Sequence, residues 1–140
     1  MDTAEVFERL SAVGRECQKK LGDGTGWLLD PDEVVIGNED DPDEVGKWYA
    51  LHEMISHLDD FSELLRYYEA PVAGEGILRK QKNGRYHIGD CEITAGCVIE
   101  ILEEDEDRPC WVRTGIEHDG HDYYATRVKG VLEGRRARYR

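Results

Sequence analysis

Apolar residues recur at helical spacing in the first half of this chain and at alternate positions in the second. Val6, Leu10, Val13, Cys17 and Leu21 follow one another by steps of three and four. That places them on one face of a helix of about five turns. Asp2 and Glu5 are set to form a capping box at its start, and Gly22 is a stop signal. A second stripe runs through Leu51, Met54, Leu58, Phe61, Leu65 and Tyr68 as a heptad seam. Pro42 suits the opening of that helix, Asp43 and Glu44 suit the positive end of its dipole, and Pro71 ends it. Residues 43–69 predict a rod of about 40 Å, with Asp59 and Asp60 as a candidate break. The two stripes match, so an antiparallel helical hairpin is expected.

From Gly76 the period falls to two. Ile77, Arg79 and Gln81 alternate with Leu78 and Lys80, Asn83-Gly84 signals a hairpin, and residues 85–88 return. A turn at residues 94–96 leads to a strand at residues 97–102, and residues 103–107 read as an acidic turn. Residues 110–117 and 121–128 form a further hairpin about Asp119-Gly120, and residues 132–140 a last strand. A two-residue type I′ turn at Asp119-Gly120 would oppose His118 to His121, Glu117 to Asp122 and Ile116 to Tyr123. The expected fold is therefore α+β: a helical hairpin over residues 1–70, then a small antiparallel β-barrel, SH3-like and of about six strands, over residues 71–140.

Charge alters this picture. The net charge is −13 over 140 residues, and it is unevenly placed. Residues 1–70 hold 18 acidic and 6 basic side chains, whereas residues 71–140 hold 13 and 12. Between residues 30 and 44 stand Asp30, Asp32, Glu33, Glu39, Asp40, Asp41, Asp43 and Glu44, with no basic residue among them. Their spacing does not fit an EF-hand, since no Asp-x-Asp-x-Asp-Gly run precedes a glutamate. Two readings remain: a solvated loop, or an array of carboxylates standing in for phosphates towards a basic partner. The glycine-rich residues 22–26 lack the Lys-Ser or Lys-Thr of a phosphate loop and read as a flexible turn, with Trp27, Leu28 and Leu29 as an anchor.

No stretch is apolar and long enough to span a membrane, and the N-terminus lacks a basic and apolar signal. A cytoplasmic protein with reduced thiols is expected. No Gly-x-Ser-x-Gly, His-Glu-x-x-His or other nucleophile–base pattern is present, so an enzyme is not expected. Cys91 and Cys97 flank the turn at residues 94–96, and His118 and His121 flank Asp119-Gly120. Two such pairs, with Cys110 as a substitute, are candidate ligands for one structural Zn2+. The same thiols serve equally as small core residues. The C-terminal residues Arg127, Lys129, Arg135, Arg136, Arg138 and Arg140, with Tyr123, Tyr124 and Tyr139, offer charge and stacking for a nucleic acid strand. The long-range repulsion between a net −13 protein and a polyanion makes this the second reading.

Several motifs of the second half are similar to those of one family: Gly76-x-Leu-x-Lys, Asn83-Gly-Arg-Tyr86, Glu92-Ile-Thr-x-Gly96, Ile99-Glu100, Trp111-x-x-Thr-x-Ile-Glu-His118, Asp122-Tyr-Tyr124 and Leu132-x-Gly-x-x-x-Arg138. Over residues 72–140 the chain resembles a small domain of bacterial phage, plasmid and conjugative-element proteins, for which no activity is established. Cys91, Cys97 and Cys110 lie outside its pattern. The resemblance implies a mobile-element context, in which short acidic proteins, anti-CRISPR proteins among them, disarm host defences. The expected function is then a non-enzymatic inhibitor. Its acidic surface would dock on the basic nucleic-acid-binding groove of a host defence protein such as a Cas9-type RNA-guided nuclease. The alternative is a nucleic-acid-binding accessory protein using its basic C-terminal strand.

Overall fold

The computed structural model describes residues 2–104 and 108–140. Residues 105–107 of the expected acidic turn lie outside the described residues. The chain divides into two compact units, residues 1–69 and 70–140, and its class is α+β.

In the first unit, α1 (Thr3–Leu21) starts at the expected capping box. Asp2 accepts from the Glu5 amide while Glu5 accepts from the Asp2 amide. α2 (Pro42–Glu69) runs unbroken through Asp59 and Asp60. The helices are antiparallel: the Phe7 ring meets Tyr68 edge-on with centroids 6.2 Å apart, and Gly14 faces Leu65 and Phe61. The packing face of α1 is not the expected stripe. Val6, Leu10 and Val13 stay exposed, whereas Ser11 and Gly14 are buried. A Cβ at Gly14 would lie 2.6 Å from Leu65 Cδ1. Small residues thus let the helices approach more closely than interdigitated leucines and valines would. On α2 the buried positions are Ile55, Ser62 and Leu65, while Met54 is exposed.

The glycine-rich loop after α1 is folded back rather than open. Gly22 pairs with Leu28, the Asp23 amide donates to the Trp27 carbonyl, and Leu28 is buried. A single 3-10 turn, Pro31–Glu33, follows. The segment leading into α2 is tied down by Trp48, whose Nε1 donates to the Val34 carbonyl at 2.8 Å.

In the second unit, eight strands are present among the described residues: β1 (Gly74–Ile77), β2 (Arg79–Lys80), β3 (Tyr86–Ile88), β4 (Cys91–Ile93), β5 (Val98–Glu103), β6 (Cys110–His118), β7 (Tyr123–Ala125) and β8 (Arg136–Tyr139). They form a five-stranded sheet in the order β1-β8-β5-β6-β7 and a three-stranded sheet in the order β2-β3-β4. This corrects the expected barrel: each sheet has two edges, and no closed ring of strands is found among the described residues. The expected first strand is divided at Leu78. That residue is fully buried, and it exchanges backbone hydrogen bonds with Arg135 and Gly134. The chain therefore leaves one sheet at Ile77 and joins the other at Arg79. Between the sheets lies a core of Leu78, Ile88, Ile99, Ile101, Ile116 and Leu132, each at most 2 % exposed.

Both hairpins differ in register from a two-residue type I′ turn. Among the described residues only glycines have positive φ, whereas that turn needs it at both central positions. At Asn83-Gly84 the loop has three residues: the Gln81 amide donates to Arg85 and the Gly84 amide back to Gln81. At Asp119-Gly120 the loop has four. Asp119 Oδ1 accepts from the amides of His121 and Asp122, at 2.8 and 2.9 Å. That side-chain turn moves the register by two residues, so His118 opposes Tyr123 and Ile116 opposes Ala125. A shift of two keeps Ile116 facing the core, where a shift of one would not.

Candidate functional site

The acidic residues 30–44 are held by local hydrogen bonds against the N-terminal half of α2. Asp30 caps the 3-10 turn by accepting from the Asp32 amide, and Asp41 accepts from the Asp43 amide at the opening of α2. Glu44 reaches back to the Asn38 amide at 2.8 Å. Asp32 lies 3.7 Å from His52 Nδ1, and the His52 ring packs on Trp48 with centroids 4.2 Å apart. Thus Asp30, Asp41 and Glu44 shape the loop, and Asp32 faces a histidine. Glu33, Glu39, Asp40 and Asp43 are exposed, and among the described residues their carboxylates accept no hydrogen bond and form no ion pair. The eight carboxylates are one local group in the chain, but only part of it is free for a partner.

The basic C-terminal strand is in the opposite condition. Arg136 pairs with Glu75, Arg135 with Glu103 and Arg79 with Glu133. Glu100, 1 % exposed, receives both Arg138 and Arg140. Burial pushes the Glu100 carboxyl up, but the hydrogen bonds and charges of Arg138 and Arg140 outweigh it and hold it below the ordinary value. Arg138 also stacks on Trp111, its guanidinium carbon 4.3 Å from the ring centroid. Arg127 and Lys129 are exposed. Sequence reasoning did not find this network. Its one signal is the alternation of Glu100 with Ile99 and Ile101, which puts the carboxylate on the face of β5 opposite the core, in register with Arg138 and Arg113.

The candidate zinc ligands are not brought together. Cys91, on β4, packs against the core beside Tyr139, whose hydroxyl is pushed up by burial and by the neighbouring thiol. Cys97 also packs against the core and accepts from the Thr94 amide. Cys110 and His118 stand at opposite ends of β6, about 26 Å apart at the usual strand rise. His118 accepts from the Gly120 amide through Nδ1, and His121 is exposed at the loop tip. Among the described residues no three His, Cys, Asp or Glu side chains are grouped to hold a metal. The histidine hairpin has another register, and the strands on either side of the turn at residues 94–96, β4 and β5, belong to different sheets, which is why the pairs are not opposed. All four cysteines are free thiols. Among the described residues, no helix is long and apolar enough to cross a membrane.

The fold thus defines an α+β chain with an acidic helical unit and an internally neutralised β unit. Residues 75–139 match the family model of a domain of unknown function, DUF5348. No curated protein and no solved structure matches the chain.

Proposed function

We propose that the protein is a non-enzymatic inhibitor that docks its acidic helical surface on a basic, nucleic-acid-binding groove of another protein. The observation that carries this reading is the contrast between the two units. Glu33, Glu39, Asp40 and Asp43 are exposed without a partner among the described residues, whereas Arg135, Arg136, Arg138 and Arg140 are spent on carboxylates of their own unit. An unpaired carboxylate array on an anchored loop presents negative charge at little ordering cost, and opposite charge on a partner accelerates encounter. The resemblance of residues 72–140 to mobile-element proteins supports a bacterial host defence protein as the target, and a Cas9-type RNA-guided nuclease has such a groove. The alternative, nucleic-acid binding through the C-terminal strand, would require arginines that are already paired.

The test is charge reversal at the unengaged positions. The variant Glu33→Lys, Glu39→Lys, Asp40→Lys, Asp43→Lys spares the Asp30, Asp41 and Glu44 carboxylates that shape the loop. It is expected to weaken inhibition of nuclease cleavage by about tenfold or more, a loss near 1.4 kcal/mol, and to flatten its salt dependence. Unchanged inhibition by the folded variant would remove those carboxylates from the contact.

A further inference from the structure

The helical unit also holds a cleft that the acidic surface does not use. It has a volume of about 250 Å³ and lies between α1, α2 and the folded-back loop. Arg15, Arg66, Ser11, Ser62 and Gln18 line it, together with the apolar wall of Leu65. Two guanidinium groups in one cleft are unexpected in a unit this acidic, and neither has a carboxylate partner among the described residues. Arg66 is instead positioned by an aromatic ring, its guanidinium carbon lying 4.2 Å from the Trp27 centroid. Its Nε reaches the Ser62 carbonyl only weakly, at 3.4 Å. Its place over the ring leaves guanidinium donors for another group. Gln18 Nε2 is committed to the Gly26 carbonyl at 2.7 Å, which closes the loop over the cleft.

Ser62 gives a second and independent sign. It is 7 % exposed, and its Oγ has no hydrogen-bond partner. A buried hydroxyl left without a partner is unfavourable and calls for a group to satisfy it. Glu69 also lines the cleft, so the ionisable lining (Arg15, Arg66 and Glu69) sums to one positive charge. That balance suits a monoanion better than a phosphate dianion. The volume lies below that of drug-sized pockets, which run to about 300–1,000 Å³, so the ligand is small.

We propose that this cleft binds a small monocarboxylate with an apolar body, its carboxylate held by Arg15 and Arg66 and its body against Leu65. A carboxylate matches the planar fork of arginine, and charge-assisted hydrogen bonds of this kind are the strong ones. The site stands independently of the acidic surface and of any protein partner.

Benzoate is the probe, titrated into the full-length protein and followed by nitrogen–proton correlation spectra of the Trp27 indole and Arg66 Nε groups. The expected result is saturable shifts of both signals. Arg15→Gln should weaken the dissociation constant by about tenfold and Ser62→Ala by about threefold, as lost charged and neutral hydrogen bonds do. Arg15 and Arg66 are both exposed, so variants at either position are expected to fold, and a thermal melt checks this. Benzyl alcohol, which keeps the body without the charge, and inorganic phosphate, which keeps charge without the body, should each bind more weakly. Three results would overturn the proposal: no shift up to about ten millimolar benzoate, shifts unaltered in folded Arg15→Gln, or equal binding of phosphate or benzyl alcohol.

Discussion

Arg138 grips Glu100 with both arms of its guanidinium, Nε to Oε2 at 2.9 Å and Nη2 to Oε1 at 3.0 Å, across the paired strands β8 and β5. Arg140 adds a third bond to the same carboxylate at 3.0 Å. One buried acid thereby engages both arginines at the end of the most basic stretch of the chain. The relationship decides how the β unit is stabilised and weakens the case for its arginines as a nucleic acid grip.

Removing that charge should be costly. Glu100→Gln keeps the shape but takes the counter-charge from the partly buried Arg138 and removes the charge that Arg140 also engages. Loss of one partner of a buried ion pair costs about 3–5 kcal/mol; because glutamine retains an acceptor, about 3 kcal/mol is expected here. Urea denaturation followed by Trp111 fluorescence in a background lacking the other tryptophans measures it. A loss well under 1 kcal/mol would show the pair to be dispensable.

Acid should act on the same unit. The carboxyls of Glu92, Glu100, Asp119, Asp122 and Glu133 are all held below their ordinary values. Arg85 lowers Glu92, Lys80 lowers Asp122, and backbone amides lower Asp119 and Glu133. For Glu100 burial works the other way and the two arginines outweigh it. A carboxyl depressed in the folded state contributes stability that is present above its unfolded value, 4.5 for glutamate and 3.8 for aspartate. That stability is lost as pH falls through the lower folded value. The melting temperature of the β unit should therefore hold from pH 7 to about pH 5 and fall steeply towards pH 3. An equal melting temperature at pH 3 and pH 7 would contradict this.

Chelation should do nothing. Cys110 and His118 are at opposite ends of β6, and Cys91 and Cys97 are packed against the core. Protein purified without a histidine tag is expected to carry zinc well below one equivalent and to melt identically with and without chelator. One equivalent of zinc, with destabilisation on its removal, would require the ligands to rearrange.

Much of the helical unit was legible because its signals are local. The capping box at Asp2 and Glu5 and the proline opening of α2 need only neighbouring residues. The packing face of α1 was not legible, because close approach at Gly14 rewards small residues where hydrophobic periodicity counts large ones. The hairpins were located, but their registers were not. Asn83 and Asp119 spend their side chains on amides two and three residues ahead, which competes with the type I′ turn that their dipeptides suggest. The barrel failed at Leu78, where full burial turns one apparent strand into two strands of different sheets. The carboxylates of the candidate surface were visible in composition. Which of them are engaged locally depends on loop geometry that composition does not carry.

The central claim is that the acidic surface takes the place of a nucleic acid. Competition tests it most directly: binding of the full-length protein to a Cas9-type nuclease, measured with the groove empty and with it filled by guide and target nucleic acid. The account predicts tight binding to the empty groove, a loss of at least about tenfold when the groove is filled, and weakening as salt rises. Equal affinity in both states, or no binding to the empty groove, would contradict it.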